Sequence, residues 1–118
     1  MKLNLEHKNA LVCGSTQGIG KATAIALASE GVIVTLLARN ESKLKEVIKQ
    51  LPNAQNHDYI VADFMNPEVL KSNVENYILQ NHGFHILVNN TGGPRSGPII
   101  DASLKAFEDA FTQHLKCN

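Results

Sequence analysis

Short runs of consecutive apolar residues alternate along this chain with stretches where apolar positions recur every three or four residues. Continuous runs suit strands buried on both faces, and the longer period suits helices laid over them. Ala-Leu-Val-Cys-Gly at 10–14 predicts a first buried strand. The segment from Ile19 to Glu30, rich in alanine, predicts a helix that packs closely on a sheet. Gly31 then suits a helix C-terminal cap, because glycine reaches positive φ without steric cost. Residues 32–37, Val-Ile-Val-Thr-Leu-Leu, predict the second strand.

Asn40 is placed to cap the next helix, where Leu44, Val47, Ile48 and Leu51 fall at i, i+3, i+4 and i+7 before Pro52 stops it. Residues 58–63 predict a third strand. Asn66 as cap and Pro67 at the first position open a third helix, with Val69, Leu70, Val74, Tyr77 and Ile78 as its apolar face. A fourth strand is predicted at 85–90, followed by a glycine- and proline-rich loop. From Ser103 onward, Leu104, Phe107, Phe111 and Leu115 make a last helical stripe. Strict alternation of strand and helix implies an α/β fold on a parallel sheet with right-handed crossovers.

With 118 residues, the chain is expected to be one domain. Eleven basic side chains balance eleven acidic ones. That neutrality lacks the basic footprint of a nucleic-acid binder, so no nucleic-acid partner is expected. No run is long enough to span a bilayer, and no membrane partner is expected either. Cys13 and Cys117 share no redox or metal-ligand spacing, which points to free thiols in a reducing, cytoplasmic setting. Five scattered histidines form no ligand motif, so no metal site is expected.

Candidate chemistry begins at Gly14, Gly18 and Gly20, between the first strand and its helix. A helix N-terminus exposes unpaired N–H groups and the positive end of the macrodipole, which attract phosphate. The spacing Gly-x-x-x-Gly-x-Gly also fits a tight turn that holds nothing, so context decides. At the end of the second strand stand Ala38 and Arg39, where a dinucleotide-binding fold would place an acid for the ribose of NAD. Ala38 leaves no carboxylate to repel a phosphate, and Arg39 can pair with one through its planar fork, which favours NADP(H) over NAD(H). Elsewhere such an arginine would be an ordinary solvated side chain. Asp63, after the third strand, either accepts from an adenine amino group or begins a turn. Asn89 and Asn90, with Gly92 beyond, either pin neighbouring strand ends beside a ribose or make a plain turn.

Together these motifs resemble the short-chain dehydrogenase/reductase family across essentially the whole chain. The family's Thr-Gly-x-x-x-Gly-x-Gly stands here at 13–20 with Cys13 for threonine, and its Asn-Asn-Ala-Gly stands at 89–92 with Thr91 for alanine. Ala-Arg-Asn at 38–40, and the loop at 89–98, are similar to NADP(H)-preferring members labelled 3-oxoacyl-[acyl-carrier-protein] reductases. The resemblance implies a Rossmann-like doubly wound parallel sheet of order 3-2-1-4, truncated after strand four. It implies that Gly14, Ser15, Gln17, Gly18, Ile19 and Gly20 line the pyrophosphate and nicotinamide side. Arg39 would meet the 2′-phosphate, Asp63 the adenine, and Asn90 with Gly92 the ribose. His114 falls where the family carries a proton-relay asparagine; a partly buried helix histidine is the plainer alternative.

The family's catalytic serine and Tyr-x-x-x-Lys have no counterpart here. Tyr59 and Tyr77 are the two tyrosines, and neither has a lysine four residues on. The resemblance therefore implies the N-terminal, cofactor-binding portion of an NADP(H)-dependent oxidoreductase acting on a small-molecule carbonyl substrate, with no catalytic residue in residues 1–118. An open fourth strand predicts a homo-oligomer. The alternative is a non-catalytic nucleotide-binding or self-association module.

Overall fold

The computed structural model describes residues 3–90. Within them lie strands β1 (Asn9–Cys13), β2 (Ile33–Ala38), β3 (Asp58–Val61) and β4 (Ile86–Val88). Three helices alternate with them: α1 (Gly18–Ser29), α2 (Glu41–Gln50) and α3 (Pro67–Gln80). The strands hydrogen-bond in the order β3-β2-β1-β4, and each neighbouring pair is parallel. This is the parallel α/β arrangement that the alternation predicts, in the Rossmann-like order that the resemblance implies. Leu11 of β1 lies opposite Thr35 of β2 on one side and Leu87 of β4 on the other.

Strand periodicity divides the core into two layers. Ala10, Val12, Val34 and Leu36 point to one face, where Ala24 and Ala28 of α1 and Leu44 and Val47 of α2 cover them. The alanines let α1 approach the sheet closely. Leu11, Cys13, Leu37 and Ile60 point to the other face, against Leu70 of α3.

Local signals set the helix starts. The Asn40 side-chain oxygen accepts the Lys43 N–H at 3.2 Å, and the Asn66 side chain accepts from Val69 at 3.4 Å with Pro67 next in the chain. Gly31 follows α1 at φ +84°. The face of α3 is narrower than its apolar residues suggested. Leu70, Val74 and Tyr77 meet the sheet, whereas Val69 and Ile78 are 46% and 40% exposed. At about 100° per residue those two flank the Leu70–Tyr77 stripe on opposite sides.

Both tyrosines serve the fold. Tyr77 donates to Asp58 Oδ2 at 3.1 Å and lies 3.3 Å from the buried Thr35 hydroxyl, and its ring stacks on Phe84. Tyr59 on β3 donates to Glu41 at 2.9 Å. Two histidines stand at the entrances to the outer strands. His57 Nδ1 accepts the Val34 N–H at 3.0 Å, and His85 Nδ1 accepts the Asn9 N–H at 3.0 Å. His57 Nε2 is 2.7 Å from the Pro52 carbonyl, which can only accept, so the ring carries its proton on Nε2. No described helix is long and apolar enough to cross a membrane. Gly92, His114 and the predicted last helix lie outside the described residues.

Candidate nucleotide site

The chain leaves β1 at Cys13 and turns before α1 begins at Gly18. Gly14 adopts φ +59°, and its N–H donates to the Leu37 carbonyl at 3.0 Å. A Cβ at Gly14 would collide with the Asn90 carbonyl oxygen, and one at Gly20 would collide with the Gly14 carbonyl oxygen. Turn, helix and the end of β4 thus meet backbone to backbone. Asn90 fastens the contact by donating from Nδ2 to the Gly14 carbonyl at 3.2 Å. Gly18 differs: at φ +60° it needs glycine for its backbone, but among the described residues no atom outside its own turn lies within 4 Å of where a Cβ would stand.

That open space belongs to a cleft of about 970 Å³ over the carboxyl ends of the strands. It lies where the chain leaves β1 in one direction and β4 continues in the other, the position at which doubly wound sheets bind ligands. Gly14, Gln17, Gly18 and Ile19 line it from the glycine turn, Arg39 from the end of β2, Asp63 from beyond β3 and Asn90 from beyond β4. Seven residues proposed from sequence are therefore brought to one cavity. Ile19, 77% exposed, stands at its wall.

Ser15 does not line the cleft. The left-handed turn at Gly14 carries it inward, where it is fully buried and its hydroxyl has no partner among the described residues. Thr16 takes the lining position instead. Gly20 stands behind the turn as the spacer that lets α1 sit close. Asp63 performs the turn role for which its position also qualified it: Oδ1 accepts the Met65 N–H at 2.8 Å. Its other carboxylate oxygen makes no hydrogen bond to a described residue, while the side chain remains part of the cleft lining.

The start of α1 is suited to an anion. Gln17, at the cap position, makes no side-chain capping bond, and the first turn contains no acidic residue. The leading N–H groups are left to a ligand or water. Arg39 and Lys43 add positive charge, and neither forms an ion pair with a described residue. Glu41 also lines the cleft, but its carboxylate is engaged by Tyr59 and by Lys45 at 3.5 Å. The Tyr59 hydroxyl, and after it Lys45, hold the Glu41 carboxyl below its ordinary range. The same bond raises the Tyr59 phenol. Burial pushes the Cys13 thiol up to about 11, which leaves it protonated and unreactive at neutral pH. Among the described residues no group of three acidic, histidine or cysteine side chains is arranged for a metal ion.

Sequence reasoning passed over Thr16, Lys43, Glu41 and Phe64, which also line the cleft. Thr16 sits inside the glycine turn, and its neighbours there were the available signal. Lys43 and Glu41 occupy the first turn of α2, which starts at the same sheet edge as α1.

The sequence matches the profile of the family described as short chain dehydrogenase over residues 8–117. An uncharacterized oxidoreductase of Schizosaccharomyces pombe is 39% identical over 118 residues, covering 98% of this chain and 33% of that protein. The 7alpha-hydroxysteroid dehydrogenase of Clostridium sardiniense is 38% identical over 116 residues, covering 97% of this chain and 44% of that one. Among solved structures, L-sorbose reductase from Gluconobacter frateurii, in complex with NADPH and L-sorbose, superposes with a TM-score of 0.87 at 28% identity. That superposition covers 99% of this chain and 45% of the reductase. The chain thus spans between a third and a half of the length of these relatives.

Proposed function

The chain belongs to the short-chain dehydrogenase family, and we propose that it forms the NADP(H)-binding portion of an oxidoreductase that reduces a small-molecule carbonyl compound. The observation that carries the cofactor assignment is Arg39. It follows β2 directly after the uncharged Ala38 and lines the same cleft as the glycine turn. The fit of a dinucleotide is supported by the bare Gly18 wall and by the uncapped start of α1. NADPH in the complex of the L-sorbose reductase supports the same cofactor.

In this reading the N–H groups opening α1 hold the pyrophosphate, with Thr16, Gln17 and Gly18 around it. Arg39 receives the 2′-phosphate through its fork of donors. Asp63 accepts from the adenine amino group with the oxygen its turn leaves open. Asn90 keeps the Gly14 carbonyl turned away from the phosphates by occupying it. Ile19 offers an apolar wall to the nicotinamide and excludes water there. NADP(H), when bound, supplies the hydride. For the carbonyl substrate we propose a 3-oxoacyl compound, supported by the likeness of Asn-Asn-Thr-Gly-Gly-Pro-Arg-Ser-Gly-Pro at 89–98 to reductases of that class.

One observation favours a second reading, a nucleotide-binding module without reductase chemistry. Tyr59 and Tyr77 are both engaged in holding the fold, and neither stands four residues before a lysine. Two measurements separate the readings. Arg39→Ala should weaken NADPH binding about tenfold to a hundredfold, the value of a charge-assisted bidentate contact, while leaving NADH unchanged. Equal loss for both cofactors would refute the 2′-phosphate role. Oxidation of NADPH in the presence of 3-oxoacyl thioesters by a protein that carries this chain together with a Tyr-x-x-x-Lys segment supports the reductase; saturable binding without turnover by that protein supports the module.

A further inference from the structure

Arg39 and Lys43 share the cleft with Glu41, on the first turn of α2. A free carboxylate there would repel a 2′-phosphate through space. The structure engages it instead. Glu41 Oε1 accepts the Tyr59 hydroxyl at 2.9 Å and lies 3.5 Å from Lys45 Nζ. Neither Tyr59 nor Lys45 lines the cleft, so both partners hold the carboxylate from outside it. Tyr59 is itself fixed on β3 by packing against the larger core layer.

The two lysines near the start of α2 are used differently. Lys45 pairs with Glu41, while Lys43 forms no ion pair with a described residue. Lys43 is the third residue of α2, close to the positive end of the helix macrodipole, where a cation is locally unfavourable. A residue that breaks a local rule at the wall of a cleft is a candidate for a role in that cleft.

We propose that Tyr59 and Lys45 form a clamp that holds the Glu41 carboxylate away from the 2′-phosphate position, leaving Arg39 and Lys43 to set the preference for 2′-phosphorylated nucleotides. The inference rests on the NADP(H) reading. Tyr59 and Lys45 are positioning residues, and Lys43 is a specificity-determining one.

The test uses adenosine 2′,5′-bisphosphate and adenosine 5′-monophosphate, which differ by the phosphate in question and need no catalysis. Calorimetry on the full chain is compared for the unsubstituted protein, Tyr59→Phe, Lys43→Gln and the double variant Tyr59→Phe/Glu41→Gln, with circular dichroism to confirm folding. Releasing one carboxylate near a dianion should weaken the bisphosphate about three- to tenfold in Tyr59→Phe and leave the monophosphate unchanged. Lys43→Gln should have the same selective effect. Removing the charge in the double variant should restore bisphosphate binding, an outcome that a merely structural role for Tyr59 would not produce. Unaltered discrimination in Tyr59→Phe, or no rescue in the double variant, overturns the clamp while leaving the NADP(H) reading intact. Equal binding of the two nucleotides by the unsubstituted protein overturns that reading and the clamp with it.

Discussion

Tyr77→Phe removes one oxygen from the strut that joins α3 to the sheet. The phenol proton goes to Asp58 Oδ2, so the Thr35 hydroxyl donates to the phenol oxygen. Thr35 is 1% exposed, and stranding its hydroxyl costs about 1–3 kcal/mol. The contact with Asp58 lies at the exposed surface and adds about 1 kcal/mol or less. The ring remains, with its stack on Phe84, so little packing is lost. The expected destabilisation is about 1.5–3 kcal/mol, measured by urea unfolding followed by circular dichroism. Thr35→Val provides the control, because it removes the stranded group while keeping its shape. In that background Tyr77→Phe should cost only the Asp58 share, giving a coupling of about 1 kcal/mol or more in the double-mutant cycle. An equal cost in both backgrounds would refute the strut.

Three further outcomes are expected from the turn and the strand that enters it. Cys13 has its thiol raised from 9.0 to about 11 by burial. A raised value means that its contribution to stability is complete below pH 9 and is lost as pH climbs towards 11, by a few kcal/mol at most, on the order of 1.4 kcal/mol per pH unit. Burial raises the Tyr77 phenol too, so the Cys13 share is the part of the alkaline decline that Cys13→Ala abolishes; an undiminished decline would contradict it. At the glycines, Gly20→Ala should cost about 1–3 kcal/mol and impair nucleotide binding, since its methyl group meets the Gly14 carbonyl. Gly18→Ala should cost about 1–2 kcal/mol from its left-handed backbone alone. Thermal melts that show both variants neutral would mean the turn is looser than described.

Elements whose signals are local were readable from the chain. Asn40 and Asn66 cap the helices they precede, and the apolar runs at β1 and β2 form the centre of the sheet. The α3 face was harder. Val69 and Ile78 are apolar and helical, but only the position of the sheet decides that Leu70, Val74 and Tyr77 are turned towards it. Ser15 and Thr16 are adjacent hydroxyl residues, and the handedness of the turn at Gly14 selects which one faces the cleft. Glu41 and Lys43 follow Arg39 closely in sequence, yet the state of Glu41 depends on Tyr59, 18 positions away on β3. His57 and His85 follow no motif at all. Each supplies a ring nitrogen where a central strand's N–H would otherwise lack an acceptor at the edge of pairing.

The central claim is that the cleft formed by the glycine turn and Arg39 takes a dinucleotide bearing a 2′-phosphate. The most direct test is a calorimetric titration of the unsubstituted chain with NADPH and, separately, with NADH. The account predicts saturable one-to-one binding of NADPH, about tenfold or more tighter than NADH, as one charge-assisted contact provides. Equal affinity for the two cofactors, or binding of neither, would contradict it.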